Sequence, residues 1–316
     1  MPGVGRGSSS PHKANVLERG ETLLKNTPTL GRERRRTGFL FALPAFVLVA
    51  AVLGVPIFQA MYYSMTTWDG ITSTWVGPSA IVHELKSPIF WRVIENNAYL
   101  LIAVPVAIVI PMGIAFLLNE RVAGWKIFRT IYFLPTAISW VVIGMVSVRF
   151  FSQEGLLNNL LASIGLGANK TDLLSSEKGA LLAVGITFIW SMVGTNTIIF
   201  LTGMATLDPS LHEAAKVDGA NAFRIFRSIT VPQLRRFIQF SFVITTISAF
   251  TALFSLIFVM TGGGPGFGTT TLEFFVYQSA FAKGEFGTGA LLGVILFVVM
   301  AGLGAAQLVL TRVKED

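Results

Sequence analysis

The sequence predicts an all-α polytopic membrane protein: six transmembrane helices, with an amphipathic loop between the fourth and the fifth. Three observations carry that expectation. Charged residues make up 13% of the 316-residue chain and hydrophobic ones 53%, whereas soluble domains carry roughly 25% charge. Apolar runs recur along nearly the whole chain, each meeting the ~20 residues that ~30 Å of hydrocarbon demands. Basic residues crowd into alternate connections, the pattern that sets orientation in a membrane.

The spans are expected at 39–65, 98–118, 131–151, 180–204, 237–260 and 289–310. They are too long, and too evenly apolar, for the strands of a membrane barrel. Five of them hold no Asp, Glu, Lys or Arg. The third holds Arg149 near one end, where a long side chain can snorkel to the interface; a gate or docking contact is the other reading. Prolines 44, 56, 105, 111 and 135 fall inside spans and are tolerated where bundle neighbours re-satisfy freed backbone groups. With the N-terminus inside, segments 1–38, 119–130, 205–236 and 311–316 hold 18 Lys and Arg, while 66–97, 152–179 and 261–288 hold 5. That bias places both termini in the cytoplasm. The organisation expected is thus a basic tail at 1–38, a membrane domain at 39–310 and a short C-terminus at 311–316.

The tail is polar and rich in Gly, Ser and Pro, as mobile segments are. Its "RRRTGFLFALPAF" flank allows a twin-arginine or cleaved signal, but the apolar run is too long for a signal core, and positive-inside anchoring explains the same residues. "EGLLNNLLASIGLG" at 154–167 reads as a short amphipathic helix, lying at the interface or packed over the bundle. The net charge of +7 reflects span flanks rather than a nucleic-acid footprint. With no Cys, disulfides, thiolate metal sites and Cys nucleophiles are excluded. No phosphate loop is present: "GGGPGFGT" at 262–269 lacks the lysine and falls outside by charge count, so it reads as an external reentrant or surface loop. His12, His83 and His212 all lie between or before spans. No catalytic residue, metal site or cofactor in this chain is expected.

The interruption between spans four and five is "HEAAKVDGANAFRIFRSITVP", His212 to Pro232. Asp208 and Pro209 form an N-cap and a first-turn proline; Gly219 suits a helix stop. Phe223, Phe226 and Ile229 recur every three residues with Arg224 and Arg227 on another face, which predicts a second amphipathic helix. The product is a helix–turn–helix at the inner membrane surface. A DNA-binding role is a poor fit for a loop tethered at both ends to spans. A plain interfacial helix remains the alternative on these residues alone.

At this point the chain resembles a known family. Glu213-Ala214-Ala215, three residues, Gly219, nine residues, then Ile229-Thr230-Val231-Pro232 is similar to the EAA loop of permease subunits of importer-type ABC transporters, with Val231 where that pattern has Leu. "NNAYL", "FRTIYFLPTAISWVV", "EGLLNNLLASIGL" and "VMTGGGPGFGTTTLEFFVYQSAF" resemble the carbohydrate branch, of the maltose and glycerol-phosphate type. The likeness runs from about Phe39 to Val309. It implies a coupling helix, with Glu213, Ala214, Ala215, Asp218, Gly219 and Pro232 engaging a separate ATPase subunit. It also implies a second homologous permease as heterodimer partner, two ABC ATPases carrying ATP and Mg, and an extracytoplasmic sugar-binding protein. The 66–97 loop is too small for the large extra domain that some maltose-type members carry.

A solute pathway, if the chain has one, must be built from neutral groups. Ser241, Thr245, Ser248, Ala252 and Ser255 share a face of the fifth span. Trp190, Ser191, Thr195 and Asn196 cluster at mid-depth in the fourth, with Ser139 and Trp140 in the third. Hydroxyls and amides can bond a polyol and an indole can cover a sugar ring, but small polar residues also tie membrane helices together. The expected function is a non-catalytic permease subunit of an ATP-driven carbohydrate importer. An ion-coupled carrier would need titratable groups within the spans. A scaffold without a pathway would stimulate no partner ATPase.

Overall fold

The structure, a computed structural model, describes residues 28–120, 130–165 and 172–310. The expectations placed on 1–27, 121–129, 166–171 and 311–316 lie outside the described residues. Six helices are long and apolar enough to cross a membrane: Thr37–Tyr63, Pro88–Asn119, Trp140–Ser163, Glu177–Met204, Arg235–Met260 and Phe286–Gln307. They are called the first to sixth spans below. The chain divides into two compact units, Met1–Gln59 and Ala60–Asp316.

In the first unit a helix runs over Pro28–Val49, passes through a π turn at Ala50–Gly54 and continues as Val55–Tyr63, beyond the unit boundary. Residues 28–38, expected in the tail, are therefore helical. The π turn ends two residues before Pro56. A proline has no N–H to offer the carbonyl four residues back and its ring crowds that carbonyl, so widening the helix just ahead of it relieves the conflict. The same device recurs in the second unit, where the π turn Phe226–Thr230 ends two residues before Pro232.

The second unit opens with a feature that the all-helical expectation missed. Strand β1 (Thr66–Trp68) pairs antiparallel with β2 (Ser73–Trp75), Thr67 opposite Thr74. Asp69 holds the turn by accepting from the N–H groups of Ile71 (2.9 Å) and Thr72 (2.6 Å), while Gly70 takes φ +96°, which suits a residue without Cβ. Trp68 stacks on Tyr63 at 4.1 Å between ring centroids.

The second span begins at Pro88, ten residues earlier than expected, because the polar stretch around Asn96 and Asn97 is helical and buried. It comprises helices Pro88–Leu101 and Ala103–Asn119. The interruption at Ile102 follows from Pro105, which cannot donate to the carbonyl of Leu101. The fourth span, capped by Ser176 accepting from the Gly179 N–H at 3.2 Å, packs most extensively on Ala103–Asn119. Ala107, Ala115, Ala183 and Val184 are fully buried there, small side chains that let two backbones approach. The core continues through Phe188, Phe200, Leu253, Leu256 and Ile257.

The third span departs most from expectation. No continuous helix covers 131–151. Residues 130–133 are helical, Leu134–Ala137 form a 3-10 turn, and a new helix starts at Trp140 with Ser139 as its cap. Pro135 ends the first piece, and Gly194 of the fourth span makes room for the break: a Cβ there would overlap Thr136 and the carbonyl of Tyr132. After Phe151 the chain turns at Gly155, where a Cβ would overlap the carbonyls of Arg149 and Phe150, and enters the short helix Leu156–Ser163. Asn158 faces inward, donating to the Ser152 carbonyl at 3.1 Å. Leu156, Leu160 and Ile164 are exposed along one stripe, and Arg149 is exposed as well.

Of the two readings of the Gly-Pro loop, a reentrant one fits better: Gly262 and Gly266 are exposed, but the chain beyond them turns inward. Thr269, Thr270 and Thr271 are fully buried. Asn96 Nδ2 donates to the carbonyls of Phe267 (2.8 Å) and Thr270 (2.9 Å), and Asn97 Oδ1 accepts from the Leu272 N–H at 2.7 Å. Two amides of the second span thus satisfy backbone groups that burial would otherwise leave unpaired.

Candidate functional site

The segment between the fourth and fifth spans is built by a sequence of local caps. Asp208 Oδ1 accepts from the Ser210 N–H at 2.9 Å, and Pro209 occupies the first turn of the helix Pro209–Val217. Its far end closes in a Schellman motif: Ala220 N–H donates to the Ala215 carbonyl (2.9 Å) and Gly219 N–H to the Lys216 carbonyl (3.1 Å). That motif needs a left-handed residue between them, and Gly219 supplies it at φ +79°. No atom lies within 4 Å of where its Cβ would stand, so this glycine serves the backbone angle rather than a close contact within the chain. Asn221 then caps Ala222–Ile225 through the Arg224 N–H at 2.8 Å.

The second helix is shorter than its pattern promised, four residues before the π turn. Its buried positions are Ile225 and Thr230, with Phe226 half-buried; Phe223 is 68% exposed. The π turn adds a residue to the register, so the three-residue recurrence of Phe223, Phe226 and Ile229 does not mark one face. The two halves of the segment meet where His212 Nε2 lies 3.1 Å from Thr230 Oγ1. Ala215 and Ala220 pack against the core. Glu213, Ala214, Asp218, Gly219 and Pro232 are exposed, and so is Val217, at 88%. A solvent-exposed valine and phenylalanine beside small residues and two carboxylates form a surface with its backbone accessible and its apolar groups uncovered.

The neutral residues picked out in the spans divide into two sets. Asn196, Ser241 and Thr245 converge. Asn196 Nδ2 donates to the Ala107 carbonyl (2.7 Å) and to Thr245 Oγ1 (3.0 Å), and its Oδ1 accepts from Ser241 (2.8 Å) and Thr245 (3.3 Å). All four hydrogen-bonding positions of the amide are filled, and the three residues are buried. They tie the second, fourth and fifth spans together, so the expected one-face stripe on the fifth span is split. Ser191 is buried too and returns its hydroxyl to the Thr187 carbonyl at 2.7 Å. The other set is open: Trp190 is 40% exposed, and Thr195, Ser248 and Trp140 are half-buried. Trp140 lies parallel to Phe188, 6.2 Å between centroids. A matching tie between the fifth and sixth spans, Gln307 Nε2 to Thr246 Oγ1 at 2.8 Å, escaped the sequence reading; one amide in an apolar run was its signal.

Two groups at the predicted external end also went unnoticed. Glu273 sits in the short helix Leu272–Tyr277, between the fifth and sixth spans, with both carboxyl oxygens buried near the side chains of Asn97 and Thr271. Desolvation pushes its pKa up to about 7. Under the hairpin lies a cleft of about 850 Å³ lined by residues including Trp68, His83, Glu84, Lys283 and Glu285; burial raises the pKa of Glu84.

Comparison with known proteins places this architecture. Residues 107–312 match the family described as binding-protein-dependent transport system inner membrane component. A probable ABC transporter permease protein of Pyrococcus horikoshii is 33% identical over 82% of this chain and 90% of its own length. The lactose transport system permease protein LacF of Rhizobium radiobacter is 29% identical over 88% and 95%. Among solved structures, a bacterial alginate ABC transporter in complex with alginate pentasaccharide-bound periplasmic protein superposes with a TM-score of 0.76 at 23% identity, covering 89% of this chain and 96% of that one. The matched stretch takes in the whole capped segment, the third to sixth spans and the latter part of the second, and on that ground this multi-pass membrane protein belongs to the binding-protein-dependent transport system inner membrane component family.

Proposed function

We propose that this chain is the permease subunit of an ATP-driven importer that passes a carbohydrate, delivered by an extracytoplasmic binding protein, across the membrane. The observation that carries the reading is the capped segment: its inner face is clamped to the bundle while Glu213, Ala214, Val217, Asp218 and Gly219 stand free. Such a surface is what a foreign motor could grip. The charge bias puts it in the cytoplasm, where two ATPase subunits would bind ATP and Mg and drive alternating access. Six spans make half a conduit, so a second, homologous permease completes it. The carbohydrate class draws support from the likeness to a lactose transport system permease and from the open neutral residues Trp140, Trp190, Thr195 and Ser248, which suit hydroxyl-rich solutes.

The test has two arms. The tagged chain, purified from membranes, is examined for a co-purifying nucleotide-binding subunit. Then Gly219→Trp is assayed for binding-protein-stimulated ATP hydrolysis and for uptake. The expected outcome is an assembled complex whose uptake is lost. Normal uptake by a stably assembled Gly219→Trp complex, or a parent chain that brings no ATPase with it, defeats the reading.

A further inference from the structure

The coupling segment is continuous in sequence with the fourth and fifth spans, which makes them the obvious route for any push it receives. We propose that the second span is a further entry point, and that Glu120 is the positioning residue that keys the segment to it. This rests on the coupling role proposed above.

Lys216 lies in the last turn of Pro209–Val217, one residue beyond the Glu213-Ala214-Ala215 triplet and three before Gly219. Its Nζ is 2.9 Å from Glu120 Oε2. Glu120 is the residue that closes the helix Ala103–Asn119, at the inner end of the second span. A carboxylate there faces the negative end of its own helix dipole, so the position is poor for the helix that carries it and good for a cation brought from elsewhere. Among the described residues the other ion pairs, Arg92 with Glu95 and with Glu177, lie at the opposite end of this span. One turn above Glu120 a second contact repeats the link: Phe116, buried, meets the ring of Phe226 at 5.0 Å between centroids. Ile225 beside it belongs to the same core cluster as Phe116. The segment is thus tied to the second span from both of its halves, once by charge from the first helix and once by packing from the start of the π turn.

An exposed ion pair contributes little to folding stability. What this one fixes is where the segment sits along the second span, and packed contacts of this kind shift between discrete arrangements rather than stretch. The second span in turn holds the backbone of the Gly-Pro loop through Asn96 and Asn97 at its other end. A displacement imposed near Gly219 therefore reaches Glu120 directly and has a packed route across the unit.

The experiment uses the assembled importer in proteoliposomes and reads solute transported per ATP hydrolysed. Glu120→Lys and Lys216→Glu alone should each lower that ratio by on the order of fivefold, the lower end of ordinary coupling between sites. The reversed pair, Glu120→Lys with Lys216→Glu, should recover to within about twofold of the parent. A merely structural contact would change thermal stability without this recovery of the ratio. Single variants at the parental ratio, or a reversed pair no better than its worse single, overturn the inference. Should the charge variants fail to assemble, Glu120→Cys with Lys216→Cys is bridged by a short bis-maleimide, each ring adding one thiol across its C=C bond; the parent chain has no cysteine of its own. Bridging should restore the ratio if the two sites travel as one body, and an uptake block on bridging overturns the inference. A parent complex that hydrolyses ATP without transport would defeat the coupling reading itself, which separates the two failures.

Discussion

Two connections between spans, one charged and one built of Gly and Thr, meet opposite fates in this protein. The segment at 205–236 leaves its signature residues in solvent, and the loop at 261–271 buries its three consecutive threonines completely. The difference lies in where the backbone hydrogen bonds go. In the first, Asp208, Asn221 and the Schellman turn satisfy the helix ends locally, so nothing from the bundle need cover them. In the second, the carbonyls of Phe267 and Thr270 and the N–H of Leu272 are met by side chains of a distant helix. Self-capped backbone can face a partner; backbone that borrows its partners must stay inside.

If that contrast holds, the largest effect belongs to the buried end. Glu273 has its pKa raised from 4.5 to about 7 by desolvation. The native state therefore keeps the proton more tightly than the unfolded chain. Its contribution is full below pH 4.5, is lost as pH rises to about 7, and is flat above. The loss is on the order of 3 kcal/mol. Glu273→Gln, neutral throughout, should be more stable than the parent at pH 8 and should show a weaker fall between pH 5 and pH 8. Melting of the purified chain at pH 5 and pH 8 decides it; a parent whose Tm does not fall with pH would sink the assignment.

Asn97→Ala comes next. It orphans the buried N–H of Leu272, which costs about 1–3 kcal/mol, and should lower Tm while leaving ATPase co-purification intact. A loss of co-purification at full stability would erase the contrast between the two connections. At the exposed end Gly219→Ala should cost only about 1 kcal/mol, from its positive φ alone, since nothing lies near the added methyl. A larger fall in Tm would mean a packing role. The smallest stability effect is expected for Val217→Ser with Phe223→Ser, within about 0.5 kcal/mol of the parent. Those changes should nonetheless weaken ATPase retention on a column, and unchanged retention would show that this face is not the one gripped.

How much of this was legible beforehand varies by residue. The caps at Asp208 and Gly219 were, because each depends on a few neighbours in sequence. The third span was not read correctly: Pro135 was visible, but the break it causes persists only because Gly194, sixty residues on, leaves space for it. Phe223, Phe226 and Ile229 share a face only if the helix is unbroken, and the π turn before Pro232 shifts that register. The types and spacing of Asn196, Ser241 and Thr245 suggest a solute pathway; that they and the Ala107 carbonyl instead fill the hydrogen-bonding positions of one amide depends on distances across three helices.

The sequence by itself determined that the chain crosses a membrane six times and where the helix after Asp208 begins and ends, since apolar length and local hydrogen bonding need no tertiary partner. Only the tertiary structure decided which polar groups are spent inside and which remain available. Burial and long-range hydrogen bonding couple residues such as Asn97 and Leu272, or Glu120 and Lys216, that lie far apart along the chain, and no local pattern encodes which amide or carboxylate will find its partner.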